Sequence, residues 1–247
     1  MKVLDLFSGI GGFSLGLERA GMETVAFCEF DKHAQKVLKK HWPDVPIHED
    51  VRTLDGKQYR GSVDVICGGF PCQDLSSAGQ RAGFDGERSS LYREMLRIIG
   101  DCLPRYAIFE NVTGLLTGDD GRWFARFLYD LAKVGFDAEW HCIPASYLGA
   151  SHQRDRVWVI AYPNSERGEG CLKKSDKIKQ YIQQFNSSIS GIKELSDSNE
   201  SPLLRTDDGL SGRLDRSLAR QRIKRLGNTV VPQIPEAIGR AIMSDSN

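Results

Sequence analysis

Cys72 stands in the run Gly68-Gly69-Phe70-Pro71-Cys72-Gln73-Asp74-Leu75-Ser76. The run follows Val63-Asp64-Val65-Ile66-Cys67, which reads as a buried strand. Two glycines let the chain turn there, and Pro71 stiffens it. Ligands bind at strand C-termini in open α/β sheets, so a thiol on a rigid loop at that point is poised for nucleophilic chemistry. The other cysteines, Cys28, Cys67, Cys102, Cys142 and Cys171, read as small buried hydrophobes. None forms a Cys-x-x-Cys pair, and no Cys/His grouping has zinc spacing, so no metal site is expected.

A second run able to hold a ligand is Asp5-Leu6-Phe7-Ser8-Gly9-Ile10-Gly11-Gly12-Phe13, after the opening strand. Glycines allow a tight turn and close approach of a ligand to the backbone, and the helix that follows offers free N–H groups. Glu29 ends the second strand, where an acid can bind ribose hydroxyls. A glycine-rich turn by itself also suits nicotinamide enzymes, or a turn that is only structural. Two details favour S-adenosyl-L-methionine (SAM). The spacing is Gly-x-Gly-Gly and not Gly-x-Gly-x-x-Gly. In addition, the Asp5 carboxylate would repel a pyrophosphate but can bind an amino group.

The elements that must position these residues alternate in type. Strands are expected at 1–6, 23–29, 63–67, 106–109 and 156–161, and helices at 13–20, 32–41, 91–102 and 122–134. Gly21 and Pro43 supply stops. Such alternation predicts a mostly parallel α/β sheet, doubly wound, with helices on both faces. After Pro163 the chain turns polar, rich in Ser, Lys, Gln, Asn and Gly through residue 200. A basic stretch follows (Arg213, Arg216, Arg220, Arg222, Lys224 and Arg225), and 227–242 reads as a turn and a helix. No internal repeat is present. With 33 basic and 33 acidic residues the net charge is zero, which neither supports nor excludes a nucleic-acid partner. No apolar run is long enough for a transmembrane helix, and the N-terminus lacks a signal-peptide pattern. A cytoplasmic protein with free thiols is therefore expected.

Phe70-Pro71-Cys72-Gln73, with Phe109-Glu110-Asn111-Val112 downstream, resembles the signature pair of the cytosine-C5 DNA methyltransferases. Other motifs of that family follow in its order. Asp5 to Phe13 resembles the SAM-binding turn, with Phe7, Ser8, Gly9, Gly11 and Gly12 at the cofactor. Glu29-Phe30 resembles the acid and aromatic that hold ribose and adenine, and Asp50-Val51 the adenine-contacting motif. Pro71 and Leu91 lie where cofactor-pocket residues are expected. Gly227-Asn228-Thr229-Val230-Val231-Pro232 resembles the last motif, which brings Asn228 and Val230 to the cofactor and whose helix packs beside the first. The resemblance covers 1–162 and 226–247. It implies a Rossmann-like SAM-dependent methyltransferase fold there, with a small target-recognition region at 163–225.

The resemblance also implies a mechanism. Cytosine C5 is a poor nucleophile until a thiolate, here Cys72, adds at C6. Glu110, hydrogen-bonded to N3 and the exocyclic amine, relieves the electron density that builds at N3. Burial would raise its pKa, as an acid needs. The family pattern Gln-x-Arg-x-Arg aligns with His152-Gln153-Arg154-Asp155-Arg156, with His152 in the Gln position. Two residues apart beside a strand, the two arginines are expected on one face. Arg156 is expected to bind cytosine O2, and Arg154 to brace the loop or a phosphate. The implied substrate is double-stranded DNA, whose target base must be flipped out, and the implied product of the cofactor is S-adenosyl-L-homocysteine. A monomer is expected, and a cognate restriction endonuclease is not required for activity.

The family's arginine-threonine-glutamate motif before the last one is not recognisable; Arg205-Thr206-Asp207 and the residues after it occupy its place. The basic run at Arg213–Arg225 reads either as phosphate contacts or as a solvated helix face. The loop 76–90, with Gly79, Gly83 and Gly86, reads as a hinged cover over DNA or as a plain surface loop. Two alternatives to the DNA methyltransferase remain: a catalytically silent DNA-binding relative, and a methyltransferase of transfer RNA. No residue of the nucleophile, acid or arginine set is missing, as the first would require, and no feature favours RNA.

Overall fold

The structure is a computed structural model that describes residues 1–71, 91–148, 154–164 and 229–245. Strands β1 (Lys2–Leu6), β2 (Glu23–Cys28), β3 (Ile47–His48), β4 (Val65–Gly68) and β5 (Tyr106–Val112) pair in parallel. Strands β6 (Phe136–Pro144) and β7 (Asp155–Pro163) join them antiparallel. The order across the sheet is β3-β2-β1-β4-β5-β7-β6. The helices are α1 (Gly12–Arg19), α2 (Lys32–His41), α3 (Leu91–Cys102), α4 (Gly114–Thr117), α5 (Arg122–Lys133) and α6 (Gln233–Asp245).

The doubly wound α/β expectation holds, and details differ: the short strand β3 and the one-turn helix α4 were not expected. Strand β6 was not expected: its Asp137, Glu139 and His141 dilute the apolar signal, although Phe136, Ala138, Trp140 and Cys142 alternate with them at the period of a strand. Strand β5 also runs on past 109 to Val112 and carries Glu110 within the sheet. Its first half is continuous apolar sequence because α/β sheets are covered on both faces.

Each face has its own core. On one, Phe70, Tyr92, Phe109, Phe127 and Leu131 pack between the sheet and helices α3 and α5. On the other, Phe13, Leu17, Trp158, Ile234 and Ile238 pack between the sheet, α1 and α6. Helices α1 and α6 meet at glycine. A Cβ on Gly16 would stand 2.2 Å from the Pro232 carbonyl oxygen, and one on Gly12 would stand 2.5 Å from that of Val230. The C-terminal helix therefore returns to the start of the first one, as the order of the motifs implied. The ends of the early helices are set by local chemistry. Asp31 caps α2 by accepting the N–H groups of His33 (2.7 Å) and Ala34 (3.2 Å), and Gly21, at φ 92°, ends α1.

Candidate active site

The glycine turn leaves β1 through residues that an ordinary side chain resists. Phe7 has φ 53°, Gly9 55° and Gly11 89°. Ser8 pins the turn: its hydroxyl donates to the Asp5 carbonyl at 2.6 Å, and its N–H to the Cys28 carbonyl at 3.2 Å. Below the turn lies the Trp42 ring, which a Cβ on Gly11 would approach to 2.6 Å. The Trp42 indole N–H donates in turn to Glu18, at 2.8 Å.

Glu29 closes the turn from β2. One carboxylate oxygen accepts the Gly9 N–H at 2.7 Å and the other the Asp31 N–H at 2.7 Å. Burial raises its pKa, and these N–H groups oppose the rise. A carboxylate oxygen has lone pairs beyond one backbone bond, so Glu29 can still accept hydroxyl donors. The backbone beside it is open at Gly9, where a Cβ would meet no atom of the described residues within 4 Å. Phe30, the next residue, is 73% exposed, an unusual setting for a large aromatic and one that leaves a free ring face for stacking. The Asp50 carboxylate takes a fork from Arg52, whose Nε and Nη2 lie 3.0 and 2.7 Å from its two oxygens; this contact lowers its pKa. Val51 is buried behind it. Leu91 opens α3, and Val230 packs partly buried against the core of α1 and α6.

Asp5, read in the sequence as a partner for an amino group, lies inside the fold near the end of β1. It is fully buried and accepts the Ser14 hydroxyl at 2.7 Å, behind the turn and not at its surface. Burial pushes its pKa up to about 7, against the opposing Ser14 hydrogen bonds.

Across the sheet, β4 ends at Gly68, and Gly69, Phe70 and Pro71 lead toward Cys72. Gly69 rests against Glu110, where a Cβ would fall 2.9 Å from Oε2. Asn111, buried on β5, donates from its amide to the Phe70 carbonyl at 3.2 Å and accepts the Val112 N–H at 2.8 Å. The residue before Pro71 is thus tied to the strand that carries Glu110. This clamp went unread in the sequence, where Asn111 showed only as the neighbour of an acid.

Glu110 is mostly buried, with its side chain 13% exposed, and its Oε1 receives the Arg156 Nε at 2.9 Å. Burial raises the Glu110 pKa; Arg156 and then Arg154 pull it back. Arg154 precedes β7 with a left-handed backbone, φ 37°, so the alternation expected from its two-residue spacing to Arg156 does not reach it. Burial and the charge of Arg156 lower the Arg154 pKa, and the Glu110 charge raises it. Glu110, Arg154 and Arg156 therefore form one electrostatic group beside the Gly69–Pro71 segment. Cys72, Asn228, His152, Gln153, the loop 76–90 and the stretch 165–228 lie outside the described residues. No described helix is long and apolar enough to cross a membrane.

Comparison with known proteins agrees with this geometry. Residues 1–211 match the family described as C-5 cytosine-specific DNA methylase. Over 164 residues the chain is 38% identical to the Type II methyltransferase M.Eco47II of Escherichia coli, covering 66% of this chain and 39% of that protein. Over 165 residues it is 36% identical to M2.BsuMI of Bacillus subtilis, covering 65% of this chain and 42% of that protein. The chain thus spans about two fifths of the length of these relatives. A crystal structure described as a DNA modification methyltransferase encoded within an E. coli prophage superposes with a TM-score of 0.56 at 29% identity, over 67% of this chain and 47% of that one. Because the family match runs through both the glycine turn and the Glu110–Arg156 pair, the chain belongs to the C-5 cytosine-specific DNA methylases.

Proposed function

We propose that this chain is a DNA (cytosine-5-)-methyltransferase that moves the methyl group of SAM to C5 of a cytosine flipped out of double-stranded DNA. The observation that carries this reading is the pairing of Glu110 with Arg156 at 2.9 Å, against the segment leading to Cys72.

The Cys72 thiolate adds to C6 of the cytosine ring. Burial shifts Glu110 toward its protonated form, and as an acid it would donate a hydrogen bond at N3, where electron density builds. Arg156 keeps the carboxyl group in place and directs its remaining N–H groups to O2 of the base. Arg154 adds positive charge on the same side and braces the loop or a phosphate. The added thiolate makes C5 nucleophilic. SAM supplies the electrophilic methyl group when bound. Loss of the C5 proton to water then releases Cys72 as thiolate and restores the aromatic ring.

The residues around the glycine turn fit such a cofactor. Phe7, Ser8, Gly9, Gly11 and Gly12 supply a wall of backbone without side-chain bulk. Glu29 would accept the ribose hydroxyls, Phe30 would offer its exposed ring to the adenine, and Asp50 and Val51 would hold the adenine end. Pro71, Leu91 and Val230 would complete the pocket, with Asn228 assigned to it by the family motif alone. Asp5 holds the turn from behind through Ser14. Residues 1–162 and 226–247 form the catalytic unit and 163–225 the target-recognition region. The protein acts as a monomer in the cytoplasm, and no restriction endonuclease partner is needed for transfer.

The test is incubation with methyl-labelled SAM and duplex DNA, beside Cys72→Ser, followed by digestion to nucleosides. Label in 5-methylcytosine that the substitution abolishes supports the reading. Label accepted only by transfer RNA, or SAM binding with no transfer to either nucleic acid, overturns it.

A further inference from the structure

The segment Asp50–Leu54 has no regular secondary structure, yet it carries two of the residues read above as the adenine end of the cofactor site. Its own bonds shape it only in part. Asp50 accepts the Arg52 N–H at 3.0 Å, and the Asp50 carbonyl accepts the Thr53 N–H at 3.1 Å and the Thr53 hydroxyl at 3.0 Å. Val51 and Leu54 are buried in the core beside α3 and leave their carbonyls to be satisfied. Both carbonyls meet one group. Nη2 of Arg97, on α3, donates to Val51 at 3.0 Å and to Leu54 at 3.0 Å. The other nitrogens of the same guanidinium are held from α3: Nε donates to Glu94 at 2.9 Å and Nη1 to Asp101 at 3.4 Å.

We propose that Arg97 is a positioning residue for the cofactor: it fixes the Asp50-Val51 turn from behind and so sets affinity at the adenine end of the SAM site. This inference rests on the cofactor reading given above. Glu94 and Asp101 orient the planar guanidinium along the helix, and its Nη2 closes both carbonyls of the turn. A lysine has one point charge on a flexible stem and cannot serve two carbonyls and two carboxylates in these directions. Arg97 is remote from the Glu110–Arg156 pair in the fold, since α3 packs here on the segment after β3 while that pair lies between β5 and β7. Its contribution is made to bound cofactor as a whole, and not to the reacting atoms.

The test is calorimetric titration of the full chain with S-adenosyl-L-homocysteine, and separately with adenosine, for the wild type, Arg97→Lys and Arg97→Met. The expected result is affinity for both ligands weakened about tenfold or more in both variants, from the loss of one or two hydrogen bonds to the turn. The fraction of protein competent to bind should stay unchanged. Equal losses for the two ligands place the defect at the adenine end. Where Arg97→Met fails to fold, Arg97→Lys decides alone. Wild-type affinity in Arg97→Lys overturns the inference while leaving the cofactor reading intact, as does a smaller competent fraction with unchanged affinity. A wild-type chain that binds neither ligand overturns the cofactor reading and the inference with it.

Discussion

Arg156 Nε and Glu110 Oε1 meet at 2.9 Å across an antiparallel pair of strands in which they are not directly opposed. Glu110 faces Trp158 in the ladder and Arg156 faces Val112, so the contact runs along the diagonal between β5 and β7. Its consequence is electrostatic. Burial drives Glu110 toward its neutral form, and Arg156 is the largest influence in the other direction. The proton on Glu110 is required for its role at N3, so transfer falls as pH rises through its raised pKa. Removing Arg156 takes away what holds that pKa down, and the alkaline limb of the profile must then move to higher pH. Arg156→Ala is expected to lower transfer about a hundredfold at neutral pH and to shift this limb upward, while Glu110→Gln abolishes the limb along with most activity. The check is the full pH profile of label transfer to duplex DNA, recorded for the wild type and both variants. A limb unmoved in Arg156→Ala would sink the coupling.

Gly69 answers to the same carboxylate. A methyl group there would sit 2.9 Å from Glu110 Oε2, inside ordinary contact distance. Gly69→Ala must push the carboxyl group or bend the segment that leads to Cys72. Transfer is expected to drop at least about tenfold, because small misplacement of a reacting group is costly. Affinity for S-adenosyl-L-homocysteine should not change, since the glycine turn is built separately on β1 and β2. Calorimetry alongside the transfer assay separates these two effects; weakened cofactor binding would refute the local explanation.

How far the sequence reveals this arrangement depends on the kind of signal. Helix α2 was legible to the residue, with the terminating Pro43 a chemical mark in the chain. Glu29 was read at the end of its strand and follows β2 directly, whereas Glu110, also read at a strand end, lies inside β5, because polar residues after Phe109 mask the continuation of the strand. The burial of Asp5 was not legible, because an acid looks the same in sequence whether it faces a ligand or a buried hydroxyl. The Ser14 partner lies in the first turn of α1 and gives no mark of its own. Arg97 and Asn111 were invisible for a related reason: both act on backbone carbonyls, and a carbonyl carries no identity in sequence. Strand β6 was hidden by charge on alternate positions at the edge of the sheet, where one side of the strand has no neighbour to demand apolar residues.

Gly16 gives a prediction about stability. Its missing side chain lets α6 lie directly on α1: a Cβ would reach 2.2 Å from the Pro232 carbonyl oxygen and 2.9 Å from the Glu236 nitrogen. Those are backbone atoms, which cannot rotate aside. Gly16→Ala would gain helix propensity of about 1 kcal/mol in an isolated helix. Here the overlap should outweigh it, for a net loss of about 1–3 kcal/mol. Urea denaturation measures this as a lower midpoint at an unchanged slope. A midpoint at or above that of the wild type would mean that α6 does not rest on α1 in solution.

Asp5 sets a pH dependence of folding whose sign can be worked out. Its carboxyl is fully buried, with the Ser14 hydroxyl, Cys67 and the more distant Glu29 charge around it, and its pKa rises from 3.8 to about 7. Between those values the folded chain holds a proton that the unfolded chain has released. Stability from this group is therefore fully present below about pH 4 and is lost as pH rises toward and through about 7. A rise of roughly three pKa units corresponds to about 4 kcal/mol at most, taken over the whole window. Asp5→Asn keeps the shape and can still accept the Ser14 hydrogen bond, but carries no charge at any pH. The stability of the variant relative to the wild type should accordingly increase from pH 4 to pH 7.5 by up to that amount. Paired urea melts across this range isolate Asp5 from every other titrating group, because the rest of the chain is common to both proteins. Parallel stability curves would mean that Asp5 is ionised in the folded protein at ordinary carboxylate pH, with water or a cation reaching it behind the turn.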